Sequence, residues 1–90
     1  MYIVVEHIIA KPDVFFGLAD QVTKSPSGIT PLQFLPSTGK DRAVCLWDAK
    51  SVDALKGYLD SLTGQSSRNI YYAVDSKMAI GLPPIKKAAA

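Results

Sequence analysis

The sequence predicts an α+β fold in which a chain of 90 residues runs strand, helix, strand, strand, helix, strand. Three observations carry that prediction. Residues 42–75, RAVCLWDAKSVDALKGYLDSLTGQSSRNIYYAVD, read as a strand, a capped helix and a second strand. Residues 2–24 have a similar layout, a two-faced apolar strand followed by a helix that begins at a proline. A short proline-containing strand and a turn-rich loop join the two parts.

Residues 2–10 are β-branched and apolar on both parities, the pattern of a central strand covered on both faces. Pro12 suits the first helical turn, where its missing amide proton costs nothing, and Asp13 favours the same positive end. Val14, Phe15, Leu18, Ala19 and Val22 make one apolar stripe, which predicts an amphipathic helix over 12–24. Ser25, Pro26, Ser27 and Gly28 end it, because a residue before proline is pushed out of the helical region. Residues 29–35 form a weaker strand. Pro31 cannot donate to a ladder, so this strand belongs at an edge or begins after the proline.

A turn over 36–41 leads into the strand at Arg42, with Ala43, Cys45 and Trp47 on one face and Val44 and Leu46 on the other. Ser51 sits where a helix N-cap belongs, and Asp53 adds a carboxylate to the first turn. Val52, Leu55, Leu59 and Leu62 then share one helical face, and Gly64 marks the stop. Ile70, Tyr72 and Val74 alternate with Asn69, Tyr71, Ala73 and Asp75 in the last strand.

This order is the split βαβ, or ferredoxin-like, arrangement: a four-stranded antiparallel sheet with both helices on one face. The first and third strands lie in the centre and the second and fourth at the edges. The competing architecture is an open α+β sandwich with another strand order. Residues 1–82 form a single domain and 83–90 a C-terminal tail whose closing Ala88, Ala89 and Ala90 carry no weight.

Composition narrows the function classes. The net charge is +2 with acidic and basic residues interspersed, and only Lys86 and Lys87 are adjacent, so no nucleic-acid footprint stands out. Cys45 is the only cysteine and has no internal disulfide partner. No apolar run reaches the roughly 18–20 residues that span a bilayer, and the first ten residues lack the basic leader of a signal peptide. A cytoplasmic protein with no membrane partner is the expectation.

Two helices cover one face of the sheet, yet the first, third and fourth strands are apolar on both. An uncovered second face exceeds the roughly 300–600 Å² patch usual for monomers. A twofold homodimer, with two sheets face to face, is the predicted solution.

The strand order, VEH in the first strand, AVCLWDA in the third and the SRNxYYxVD ending together resemble the dimeric α+β barrel superfamily over residues 2–82. The nearest likeness is to small domains of that superfamily, some of which are described as nickel-binding. The resemblance implies a homodimer closing into a barrel, and a transition metal such as nickel as the cofactor to look for. Members include cofactor-independent monooxygenases, isomerases, haem-degrading enzymes and regulatory ligand-binding domains, so the fold does not fix the chemistry. No catalytic motif carries over residue by residue.

Few polar residues can carry chemistry. His7 is the only histidine and Glu6 the only glutamate, and as strand neighbours they point to opposite faces. A buried His7 is a candidate general base or metal ligand, or a core histidine satisfied by a neighbour. Glu6 is expected in a salt bridge across a dimer or at the rim, with Arg42 or Arg68 as candidate partners. Cys45 lies in the strand beside the first and is a candidate second soft-metal ligand with His7, or a small buried hydrophobe. Trp47, Tyr72, Phe15 and Phe34 are candidate walls of an aromatic ligand pocket, and Asn69 a candidate polar contact within it. Gly17 and Gly57 each interrupt a helix, as sites of close helix–sheet approach or of room for a ligand.

Three functions fit: a homodimeric protein binding a small apolar molecule or a metal; a cofactor-independent monooxygenase or isomerase acting on a small aromatic or lactone substrate, with His7 as base and Trp47 or Tyr72 orienting; and an interaction module whose dimer is the function.

Overall fold

A computed structural model describes residues 1–22 and 24–85 of the chain. Thr23, the Lys86–Lys87 pair and the closing alanines lie outside the described residues. The elements run β1 (Tyr2–Ile9), α1 (Pro12–Gly17), α2 (Ala19–Val22), β2 (Ile29–Pro36), β3 (Arg42–Ala49), α3 (Val52–Thr63) and β4 (Ser67–Ala73). The sheet order is β2-β3-β1-β4 and every pairing is antiparallel. This is the ferredoxin-like fold, with β1 and β3, two of the three strands apolar on both parities, in the centre and the Pro31 strand and β4 at the edges.

Alternation sorts the sheet into two faces. Ile3, Val5, His7 and Ile9 of β1 point the same way as Ala43, Cys45, Trp47 and Ala49 of β3. Against them pack Leu55 and Leu59 of α3 with Val22 of α2, while Phe15 and Phe16 of α1 cover Ile9 and Ala43. Burying an aliphatic side chain here contributes about 1.5–3 kcal/mol. The other face carries Val4, Glu6 and Ile8, with Glu6 between Val44 and Ile70, and no helix among the described residues covers it. Ile8, Val44, Ile70 and Tyr72 stand exposed there.

Local signals explain the element ends. Ser51 takes an extended backbone and its hydroxyl accepts from the Ala54 amide at 3.1 Å, capping α3. Gly64 closes that helix, but for a different reason from the one expected. Its backbone is right-handed, and a Cβ there would run into the Asp60 carbonyl, so the glycine relieves a close approach rather than supplying a left-handed turn. Gly17 and Gly57 have nothing within 4 Å of an added Cβ, so neither marks a close helix–sheet contact.

The predicted helix over 12–24 breaks at Leu18. After Gly17 the Leu18 amide donates to the Phe15 carbonyl at 3.1 Å, a tighter turn than the α ladder. α2 begins one residue later. β2 also departs from a plain strand: Pro31 pairs with Trp47 but Gln33 with Leu46, leaving Leu32 as a bulge. The extra residue puts Pro31 and Phe34, which have opposite parities in the sequence, on the same helix-facing side. Within the chain, Glu6 makes no salt bridge among the described residues. Its register neighbours are Val44 and Ile70, whereas Arg42 and Arg68 lie opposite Ile8.

Candidate functional site

His7 stands on the helix-facing side of β1, with Ala43 beside it on β3 and Asn69 on β4. The small alanine leaves space, and the polar strand partner supplies a hydrogen bond. His7 Nδ1 and Asn69 Oδ1 are 2.7 Å apart. Asn69 is itself fixed: its amide nitrogen donates to Thr63 Oγ1 at 2.7 Å and to Asp60 Oδ1 at 3.1 Å, while its oxygen accepts from Ser67 Oγ at 2.7 Å. With the carbonyl end of the amide turned to His7, the imidazole proton belongs on Nδ1. Nε2 is then the acceptor, and Cys45 Sγ lies 3.2 Å from it.

The resulting chain runs Asp60, Asn69, His7, Cys45, drawing one residue from α3 and one each from β4, β1 and β3. Tyr71 donates its hydroxyl to Asp60 Oδ1 at 2.7 Å, and Lys56 sits 3.5 Å from the other carboxylate oxygen. Burial tends to raise the Asp60 pKa, but the hydrogen bonds from Tyr71 and Asn69 and the Lys56 charge outweigh it and hold the carboxyl below its usual value. Asp60 therefore stays charged at neutral pH and polarises the chain behind it.

At the other end both groups are neutral. Burial lowers the His7 pKa, against the opposing pull of the Asn69 hydrogen bond and the Asp60 charge. Burial pushes the Cys45 thiol up to about 12, with the Trp47 indole N–H acting in the opposite direction. The pair is thus a thiol donating to an imidazole, not a thiolate beside an imidazolium.

Next to this pair lies a cavity of about 120 Å³. Its walls are apolar: Phe15 and Phe16 from α1, Phe34 from the bulged edge strand, Trp47 from β3, and Leu59 and Leu62 from α3. Phe15 meets the His7 ring edge-on at 5.0 Å between centroids and holds it against the sheet. Phe34 is 45% exposed and stands at the mouth. The bulge at Leu32 puts Phe34 on this side of the sheet, where its ring meets Phe16 at 6.2 Å between ring centres.

Of the residues singled out in the sequence, the structure brings His7, Cys45, Trp47, Phe15 and Phe34 to this one cavity. Asn69 lies behind His7 as its hydrogen-bond partner rather than in the wall. Tyr72 is not part of the site. It pairs with Val4 on the opposite face and is 51% exposed, and Tyr71 is the tyrosine that points inward. Asp60, Thr63 and Ser67 were not anticipated. Their signal was present in the alternation of Ser67, Asn69 and Tyr71 along β4, a polar line facing Asp60 and Thr63 one turn apart on α3.

A metal such as nickel does not fit these residues. His7 Nε2 and Cys45 Sγ are two donors, and among the described residues no three His, Cys, Asp or Glu side chains come together. Among the described residues no helix is long and apolar enough to cross a membrane. Comparison with protein-family models, with curated proteins and with solved structures finds no match to this chain. The superfamily likeness is therefore carried by the ferredoxin-like fold alone.

Proposed function

We propose that the protein binds a small apolar molecule of about one aromatic ring between its helices and sheet. The cavity of about 120 Å³ carries this reading. An apolar cavity of roughly 150 Å³ accommodates benzene, and aromatic walls with a single polar end suit an oriented planar ligand. Toluene is the probe. At ten times its dissociation constant, bound toluene adds about 1.4 kcal/mol of stability, which raises the melting temperature by several degrees in a domain of this size. Leu62→Trp fills the space and abolishes that rise while keeping the fold by circular dichroism. No shift and no calorimetric heat with toluene or indole would contradict the reading.

The working unit in this proposal is a homodimer joined through the open sheet face. Exposed Ile8, Val44, Ile70 and Tyr72 support it, because their burial contributes about 25 cal/mol per Å² of apolar surface. Sedimentation should give a dimeric mass for the wild type and a monomeric one for Val44→Glu. A monomeric wild type at micromolar concentration would remove the dimer and leave the cavity proposal standing.

A further inference from the structure

We propose that Cys45 is a nucleophile that adds reversibly to the carbonyl carbon of a small aromatic aldehyde held in the cavity, with His7 as its base and the Trp47 indole N–H as donor to the carbonyl oxygen. The proposal rests on the cavity reading above and names the ligand class that its polar end selects.

Three observations carry it. The first is the order of groups. A thiol sulfur lies 3.2 Å from His7 Nε2, and the other imidazole nitrogen lies 2.7 Å from an asparagine oxygen. Nucleophile, base and orienting group in hydrogen-bond sequence is the arrangement by which unrelated folds activate a serine or cysteine. Here the orienting amide is fixed in turn by Asp60, Thr63 and Ser67. A core histidine that needed only satisfaction would not require this second set of bonds.

The second is an unspent donor. Trp47 is 2% exposed, and its Nε1 is buried with no hydrogen-bond partner. A buried N–H left unpaired is a standing cost to the fold. Trp47 and Cys45 lie two residues apart on the same face of β3 and both line the cavity, so the donor belongs to the wall beside the reacting sulfur, where an oxygen gaining charge would be stabilised. A ligand with a carbonyl oxygen satisfies it, and a hydrocarbon does not.

The third is the balance of the step. The Sγ–carbon bond forms as the carbonyl π bond breaks. The thiol proton passes to Nε2 and from there to the carbonyl oxygen, giving a neutral hemithioacetal. Nothing is expelled and no oxidant or reductant is consumed. The neutral thiol and imidazole suit this route, since the proton leaves sulfur only as the new bond develops. Cys45 from β3, Asn69 from β4, the Asp60 carboxylate from α3 beyond Asn69, and the Phe15 ring from α1 are the groups that surround the imidazole.

The test is a carbon-13 spectrum of benzaldehyde labelled at its carbonyl, added to the intact protein at neutral pH. The wild type is expected to move the bound signal from the aldehyde region to the sp³ hemithioacetal region. Cys45→Ala and Cys45→Ser should each retain benzaldehyde with its signal in the aldehyde region. Trp47→Phe, which keeps a ring and removes the donor, should lower the adduct fraction about tenfold relative to free aldehyde. Toluene separates the two levels. If toluene binds and the benzaldehyde signal stays in the aldehyde region, the nucleophile proposal is overturned and the cavity reading survives. If neither binds, both fall. An adduct of equal yield in Cys45→Ala would also overturn the assignment, because the reacting group would then lie elsewhere.

Discussion

The two faces of the sheet are built from the same strands and do opposite things. On the helix side, a hydrogen-bonded chain runs from Asp60 to Cys45, and the apolar groups enclose a cavity. On the open side, Glu6 stands between Val44 and Ile70 with no ion pair among the described residues, and Ile8, Val44, Ile70 and Tyr72 remain exposed although Leu46 is buried. A one-residue step along β1 separates His7 from Glu6, and a one-residue step along β4 separates Tyr71 from Tyr72. The comparison teaches that strand parity, more than residue type, decides which of two environments a side chain enters. One side encloses a cavity beside a hydrogen-bonded chain, and the other leaves several apolar side chains exposed.

Mutations should break the comparison in order of depth. Leu55→Ala, at a fully buried position under the sheet, is expected to lose about 2–5 kcal/mol in urea unfolding. Tyr72→Ala on the open face should cost about 0.5 kcal/mol or less to the monomer and act mainly on hydrodynamic mass. Asn69→Leu leaves the Nδ1–H of His7 without its acceptor and should cost about 1–3 kcal/mol. Equal losses for Leu55→Ala and Tyr72→Ala in a monomeric sample would erase the distinction between the faces.

The pH dependence sharpens the same point. The folded pKa of His7 lies below its unfolded value of about 6.5. The unfolded chain therefore takes up the proton first as the pH falls. Stability from the neutral imidazole is complete above about 6.5 and declines as the pH drops through the folded value. Asp60 stays charged and Cys45 stays protonated across that window, so His7 is the member of the chain that titrates. Melting temperature should fall between pH 7.5 and 5, and His7→Gln should flatten most of that slope. Gly57→Ala in α3 acts in the opposite direction, because an added methyl meets nothing within 4 Å. It should raise stability by about 0.5–1 kcal/mol.

Much of the fold was legible in the residues themselves. Ser51 as a cap, Pro31 as an edge marker and two-parity apolar strands in the centre each have a local cause, and each appears where that cause puts it. The site was legible as a list of side chains but not as a network. Asn69 is 62 positions from His7, and only the strand register brings them together. Tyr72 was assigned to the pocket because aromatic character does not reveal which face a strand residue takes. That depends on its pairing with Val4. The bulge at Leu32 and the break at Leu18 were likewise invisible to periodicity. The bulge shifts the register by one residue and so places Phe34 at the cavity.

Because the chain has one histidine, a nitrogen-15 spectrum of histidine-labelled protein reports on His7 alone. Recorded at pH 7 with and without saturating toluene, it tests the helix-side site directly. The predicted result is a neutral imidazole carrying its proton on Nδ1, with an Nε2 resonance that moves when toluene fills the space beside it. An imidazolium at pH 7, a proton on Nε2, or a spectrum indifferent to toluene would contradict it.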